Sequence, residues 1–125
     1  MIARTWHGRV PAAKADTYHA YLLRTGLADY SATPGNRGVQ VFRRTEGEVT
    51  HFVLTTLWDS LAAIRRFAGD DYTRARYYPE DDDYLLEREP FVLHYEVLAD
   101  REPRWLAVRE ELMVLLGSLA RGGLK

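Results

Sequence analysis

The sequence predicts an α+β domain, a four-stranded antiparallel sheet with two helices on one face, laid out βαββαβ along the chain. Three observations carry this. Residues 2–10, 39–45, 49–58 and 91–98 are strand-like runs that alternate between two faces. Between the first and second runs, and between the third and fourth, apolar residues recur instead at three- and four-residue intervals, the mark of an amphipathic helix. Glu46-Gly47-Glu48 joins the two middle runs as a short glycine-containing hairpin, which makes them antiparallel neighbours. That order is the split-βαβ, ferredoxin-like arrangement.

Each element has a local reason. Ile2, Arg4, Trp6, Gly8 and Val10 alternate with Ala3, Thr5, His7 and Arg9, and Pro11 stops the strand because it has no N–H to donate. From Ala12 to about Leu27, Tyr18, Tyr21, Leu22 and Thr25 share one helical side, with Gly26 near the end, and Tyr30 through Gly38 reads as a loop around Pro34-Gly35-Asn36. In the third run Phe52, Leu54, Thr56 and Trp58 share one face and His51, Val53, Thr55 and Leu57 the other, so both faces are partly apolar. Asp59 or Ser60 can cap the next helix, with Leu61, Ile64, Phe67 and Ala68 inward and Gly69 ending it. Asp70-Asp71 predicts a second short helical turn up to Pro79, and Glu80 to Asp83 a charged loop. After the strand Phe91–Leu98 and Pro103, a last helix runs to about Ala120 with Leu112, Leu115, Leu116 and Leu119 as its stripe. Residues 1–99 thus form the domain and residues 100–125 a helical extension of it.

Composition removes several function classes. Seventeen basic and 18 acidic residues leave a formal charge of -1, so no global field draws nucleic acid or an anionic membrane. No cysteine is present, which excludes disulfides, thiolate metal sites and cysteine nucleophiles. Nothing approaches about 18 consecutive apolar residues, and the N-terminus lacks a charged segment followed by an apolar one; a cytoplasmic protein is the expectation. The sequence holds no G-x-S-x-G, phosphate-binding loop, dinucleotide fingerprint or H-E-x-x-H. Glu80-Asp81-Asp82-Asp83 lacks the spacing of an EF-hand, so it reads as a solvated loop neutralised by Arg74, Arg76 or Arg88, and no metal is expected.

Trp58-Asp59-Ser60, Phe67-Ala68-Gly69-Asp70, Ala75, Tyr77-Tyr78-Pro79 and His94-Tyr95-Glu96-Val97 carry a resemblance. Over residues 2–98 the chain resembles the antibiotic biosynthesis monooxygenase group of the dimeric α/β-barrel superfamily. The resemblance implies a homodimer whose two sheets form a barrel, with a pocket in each subunit between sheet and helices. Without it, the bare sheet face is covered either by a second copy or by the C-terminal helix, and the second copy is the favoured reading.

The resemblance also implies oxidation of a small aromatic or polyketide-type molecule by oxygen without a cofactor, the substrate carbanion supplying the electrons. Such chemistry needs an apolar pocket, a base and donors for an oxyanion. His94 and His7 are the candidate bases, ahead of His19 and His51, and Tyr72 joins them as a catalytic candidate. Trp58, Phe67, Tyr77, Tyr78, Trp6 and Arg4 are the substrate-binding candidates. Aromatic residues at such spacing also serve as plain core, and either histidine can be bonded within the sheet. The alternative function is a non-catalytic dimer that binds a small ligand or serves as an accessory subunit. Heme-degrading relatives use a tryptophan and, about ten residues on, a histidine; Phe67 and Tyr77 stand at those positions, which argues against heme degradation, although a tyrosine can ligate heme iron.

Overall fold

The computed structural model describes residues 1–123; Leu124 and Lys125, the end of the 100–125 extension, lie outside the described residues. The elements are β1 (Ile2–Pro11), α1 (Ala15–Arg24), α2 (Gly26–Ala32), β2 (Asn36–Glu46), β3 (Val49–Trp58), α3 (Leu61–Ala68), β4 (Leu93–Glu96) and α4 (Arg104–Gly123). The four strands lie in the order β2-β3-β1-β4. β1 and β3 pair antiparallel from Ile2↔Trp58 to Pro11↔Val49, β2 adds along β3, and β4 adds to β1 through Arg4↔His94. This is the ferredoxin-like sheet that the order of elements predicts.

Alternation assigns the faces. Arg4, Trp6, Gly8 and Val10 of β1 are buried, as are Thr50, Phe52, Leu54, Thr56 and Trp58 of β3. These residues meet Tyr18, Tyr21 and Leu22 of α1, Tyr30 of α2, and Ala63, Ile64 and Phe67 of α3 in one core. Ser60 caps α3 by accepting a hydrogen bond from the Ala63 N–H at 3.2 Å, and Gly69 closes it at φ 82°. On the opposite face Phe42, Leu93 and Tyr95 stay more than half exposed, and among the described residues no helix covers them.

Five expectations are corrected. The first helix does not run from Ala12 to Leu27: Ala12–Lys14 is a 3₁₀ turn and α1 stops at Thr25, whose hydroxyl donates back to the Tyr21 carbonyl at 2.8 Å while its backbone leaves helical values. The chain then restarts as α2 where a loop was expected. Residues 70–78 form no second helical turn. Their backbone runs beside residues 90–92, with Ala75 N–H on the Pro90 carbonyl and Val92 N–H on the Thr73 carbonyl, so partners that a helix would supply come from another segment. Pro79–Asp83 is a 3₁₀ turn rather than a loop, and Asp81 points inward to accept the Tyr78 N–H at 2.6 Å. The last strand is shorter than residues 91–98, with Phe91 held only by an isolated bridge to Arg74.

α4 follows Pro103 as predicted, but it does not cover the bare sheet face. Trp105, Val108, Leu112, Leu115 and Leu119, spaced by three and four residues, are each more than half exposed. Among the described residues no helix is long and apolar enough to cross a membrane.

One glycine sets the position of a core side chain on β1. A Cβ on Gly8 would stand 2.2 Å from the Trp6 ring, so the indole lies across the strand only because residue 8 has no side chain. At Gly26 a Cβ would meet nothing nearer than Tyr30 at 3.8 Å. Gly8→Ala is therefore expected to destabilise the protein by about 1–3 kcal/mol, the usual cost of overpacking, by pushing Trp6 aside. Gly26→Ala should be neutral or stabilise by about 0.4–1 kcal/mol. Denaturant unfolding of both variants checks the contrast.

Candidate functional site

The helices meet the sheet in a cleft. Trp6 and Leu54 line it from the sheet, Tyr18 from α1, Tyr30 from α2, Phe67 from α3 and Tyr78 from the segment after α3. About 430 Å³ lies free of atoms, including the open mouth, but only about 30 Å³ of it admits the centre of a water molecule. The second figure is the cavity proper, room for a water molecule or two, so any ring entering it displaces a wall ring.

The cleft's polar atoms are largely committed to one another. Trp6 Nε1 donates to the Tyr77 hydroxyl at 3.0 Å, and that hydroxyl donates to the Glu89 carbonyl at 2.6 Å. The Tyr78 hydroxyl donates to the Asp29 carboxylate. Burial raises the pKa of Tyr77, and burial together with Asp29 raises that of Tyr78, so both are neutral phenols near pH 7. Asp81, 4% exposed, has its pKa raised by burial.

Behind Phe67 the polar groups are only partly committed. Arg4 is 2% exposed, and its guanidinium sits 5.5 Å from the centre of the Phe67 ring. Its Nη2 donates to the Arg74 carbonyl at 3.3 Å, while its Nε is buried without a hydrogen-bond partner. His94, directly opposite Arg4 on β4, likewise holds a buried, unpartnered Nε2. Its ring meets Tyr72 edge to face at 5.3 Å. Burial first, and the Arg4 charge second, lower the His94 pKa, so the ring is a neutral imidazole at pH 7. Arg76 lies 5.0 Å from the Phe67 ring, so two guanidinium groups contact one aromatic ring.

The sequence-derived residues therefore separate. Trp6, Phe67, Tyr77 and Tyr78 line the cleft. Arg4, His94 and Tyr72 group beside Phe67. Trp58 is wholly buried, its Nε1 donating to Thr56 Oγ1 at 2.8 Å, and forms core rather than cleft wall. His7 lies on the opposite sheet face because β1 alternates: its Nδ1 donates to Glu89, and its Nε2 meets His51 Nδ1 at 2.9 Å. Odd-numbered β1 residues cannot reach the cleft.

Three site residues escaped the sequence reading. Tyr30 enters because the break at Thr25 shifts helical phase, so the α1 spacing does not extend to it. Arg76 and Asp81 sit in segments read as a helical turn and a solvated loop. An aspartate three residues after Tyr78, in Tyr-Pro-Glu-Asp, able to accept the tyrosine N–H, was the one available signal for Asp81. Among the described residues no group of three His, Cys, Asp or Glu side chains stands together to hold a metal ion.

The geometry can be set beside known proteins. No curated protein matches the sequence. The heme-degrader MhuD from Mycobacterium tuberculosis, with two hemes bound in its active site, is similar in fold. Its TM-score is 0.56 at 21% identity, over 82% of this chain and 100% of that one. A proposed antibiotic biosynthesis monooxygenase from Bacillus cereus gives a TM-score of 0.57 at 13% identity, over 82% of this chain and 95% of that one. Another from Caulobacter crescentus gives 0.55 at 18%, over 78% and 90%. At such identities the likeness is one of fold. The family profile described as antibiotic biosynthesis monooxygenase matches residues 1–77, from β1 through the Phe67 and Tyr77 walls of the cleft. The chain belongs to the antibiotic biosynthesis monooxygenase family.

Proposed function

We propose that the protein is a homodimeric, cofactor-independent monooxygenase that oxidises a small aromatic or polyketide-type molecule in the cleft between sheet and helices. The observation that carries this is the buried, unpartnered Nε2 of His94, a neutral imidazole beside the Arg4 guanidinium. In this reading Nε2 takes a proton from an activated C–H of the substrate, and Arg4 stabilises the negative charge that spreads onto the substrate's oxygen. The resulting carbanion gives its electrons to dioxygen. When a CH₂ group becomes a ketone, one oxygen atom is retained and the other leaves as water, so one O₂ balances the four-electron oxidation with no external reductant.

Heme degradation fits the residues less well. Phe67 stands where the relatives have a tryptophan, and Tyr77, at the position of their histidine ligand, already has its hydroxyl accepting from Trp6 and donating to Glu89. A second reading, a non-catalytic ligand-binding or accessory dimer, is favoured by the narrow cleft bottom and by the internal pairing of its polar atoms.

The two readings part on turnover. Oxygen uptake with anthrone or quinol substrates should fall about 10²- to 10⁴-fold in His94→Ala, with the fold intact, as expected when a general base is lost. No uptake by the parent protein with any such substrate leaves the ligand-binding reading. The pH profile has a definite sign. Protonation removes the base, and the His94 pKa is lowered, so the acid limb of kcat/KM should lie below the ordinary value of about 6.5. The same shift means that the unfolded chain binds this proton more readily, so His94's contribution to stability is lost as pH falls from about 6.5 through the lowered value.

The dimer is supported by the uncovered sheet face with Phe42, Leu93 and Tyr95. Light scattering at micromolar concentration should give twice the chain mass; one chain mass would reject it.

A further inference from the structure

We infer that the ligand of the cleft bears a permanent carboxylate, which the Arg4 guanidinium holds behind Phe67. The distribution of ion pairs motivates this. Arg9, Arg37, Arg43, Arg44, Arg74 and Arg88, all in partial contact with water, each pair with a carboxylate. Such surface pairs contribute little. Arg4, 2% exposed, has no carboxylate partner among the described residues, and its Nε has no acceptor at all. Isolated buried charge is the costly case, and guanidinium does not escape it by losing its proton.

Neighbouring groups do not neutralise Arg4. Tyr30 lies beside it, but burial raises the Tyr30 pKa in spite of Arg4 and Arg76, so it remains an uncharged phenol. Arg76 adds a second positive charge across Phe67, and its contact with Asp29 is loose at 3.9 Å, with Asp29 also accepting from Tyr78. His94 is neutral. Arg4, packed against Phe67, is therefore left without a counter-charge of its own in the resting protein. An oxyanion that forms only during reaction would offset it only then, whereas a carboxylate offsets it whenever ligand is bound. The planar guanidinium fork matches a carboxylate edge, and the Phe67 and Tyr30 rings, with centroids 4.5 Å apart, provide apolar surface for an adjoining aromatic body. An aromatic carboxylic acid combines the two.

This inference rests on the cleft being a ligand site, not on turnover. Benzoate and its neutral counterpart benzamide are the probes, compared at fixed ionic strength by calorimetry and by thermal shift. Benzoate should bind at least tenfold more tightly than benzamide. Arg4→Met should abolish that preference, and Arg4→Lys should retain part of it. Without ligand, Arg4→Met should melt no lower than the parent, because it removes a buried charge without a counter-ion. Equal binding of the two probes, or no benzoate binding, would overturn the inference. So would a native-like circular dichroism spectrum with a lowered melting temperature in ligand-free Arg4→Met, which would make Arg4 a structural residue. Oxygen uptake on a neutral anthrone, measured in parallel, separates the two proposals. Oxygen uptake by the parent protein on the neutral anthrone together with equal binding of benzoate and benzamide sinks the carboxylate and keeps the oxygenase; benzoate preference with no uptake on any substrate does the reverse.

Discussion

The ten-residue antiparallel ladder between β1 and β3 is the constraint on which the rest depends. Because the side-chain period is two, this register sends Trp6, Val10, Phe52, Leu54 and Trp58 to one face together, and α1, α2 and α3 have a surface to pack on. A one-residue slip of β1 would exchange Arg4 and Trp6 for Thr5 and His7. The register therefore fixes the core and the polarity of the cleft at once: it buries an arginine, and it places a histidine pair on the far face.

Within that frame the buried polar groups divide into a satisfied half, which lines the cleft, and an unsatisfied half behind Phe67. Trp6, Tyr77 and Glu89 form a closed chain of hydrogen bonds that holds β1 to the segment after α3. Across Phe67, Arg4 and His94 retain buried polar atoms with no partner. Buried polar groups are normally paired, and each exception needs a reason. A ligand that supplies the missing partners is a reason that also accounts for why two of the three such atoms among the described residues lie on facing positions of β1 and β4, the third being the Tyr21 hydroxyl of α1. It assigns different tasks to the two halves, rigidity to one and recognition to the other.

Legibility in the sequence followed how local each cause was. Alternation in β1 and β3, the Glu46-Gly47-Glu48 hairpin and the Ser60 cap depend on neighbours in the chain, and the sheet order followed from them. α2 was obscured because Thr25 breaks the helix through a side-chain bond and shifts its phase, which leaves Tyr30 off the pattern. Residues 70–78 were obscured because their partners are residues 90–92, distant in sequence. For the site, Arg4, Trp6, Phe67 and His94 were visible as residue types, but the face of each histidine was settled only by pairing: Arg4↔His94 puts His94 with Arg4 and leaves His7 on the other side. That Arg4 lacks a carboxylate is a property of three-dimensional neighbours, and no spacing rule expresses it.

The far face bears on the assembly in the same terms. Phe42, Leu93 and Tyr95 expose an apolar sheet surface, and α4 exposes Trp105, Leu112, Leu115 and Leu119 along one side without folding back to cover it. A domain of this size does not ordinarily leave two such surfaces in water. Closing sheet to sheet against a second copy would bury the first and would enclose the His7, His51 and Glu89 chain, whose hydrogen bonds satisfy both nitrogens of His7 in advance. That preparation distinguishes His7 from His94: a histidine whose nitrogens are both engaged can be buried in an interface at little further cost, whereas one with a free nitrogen belongs where something will arrive to use it.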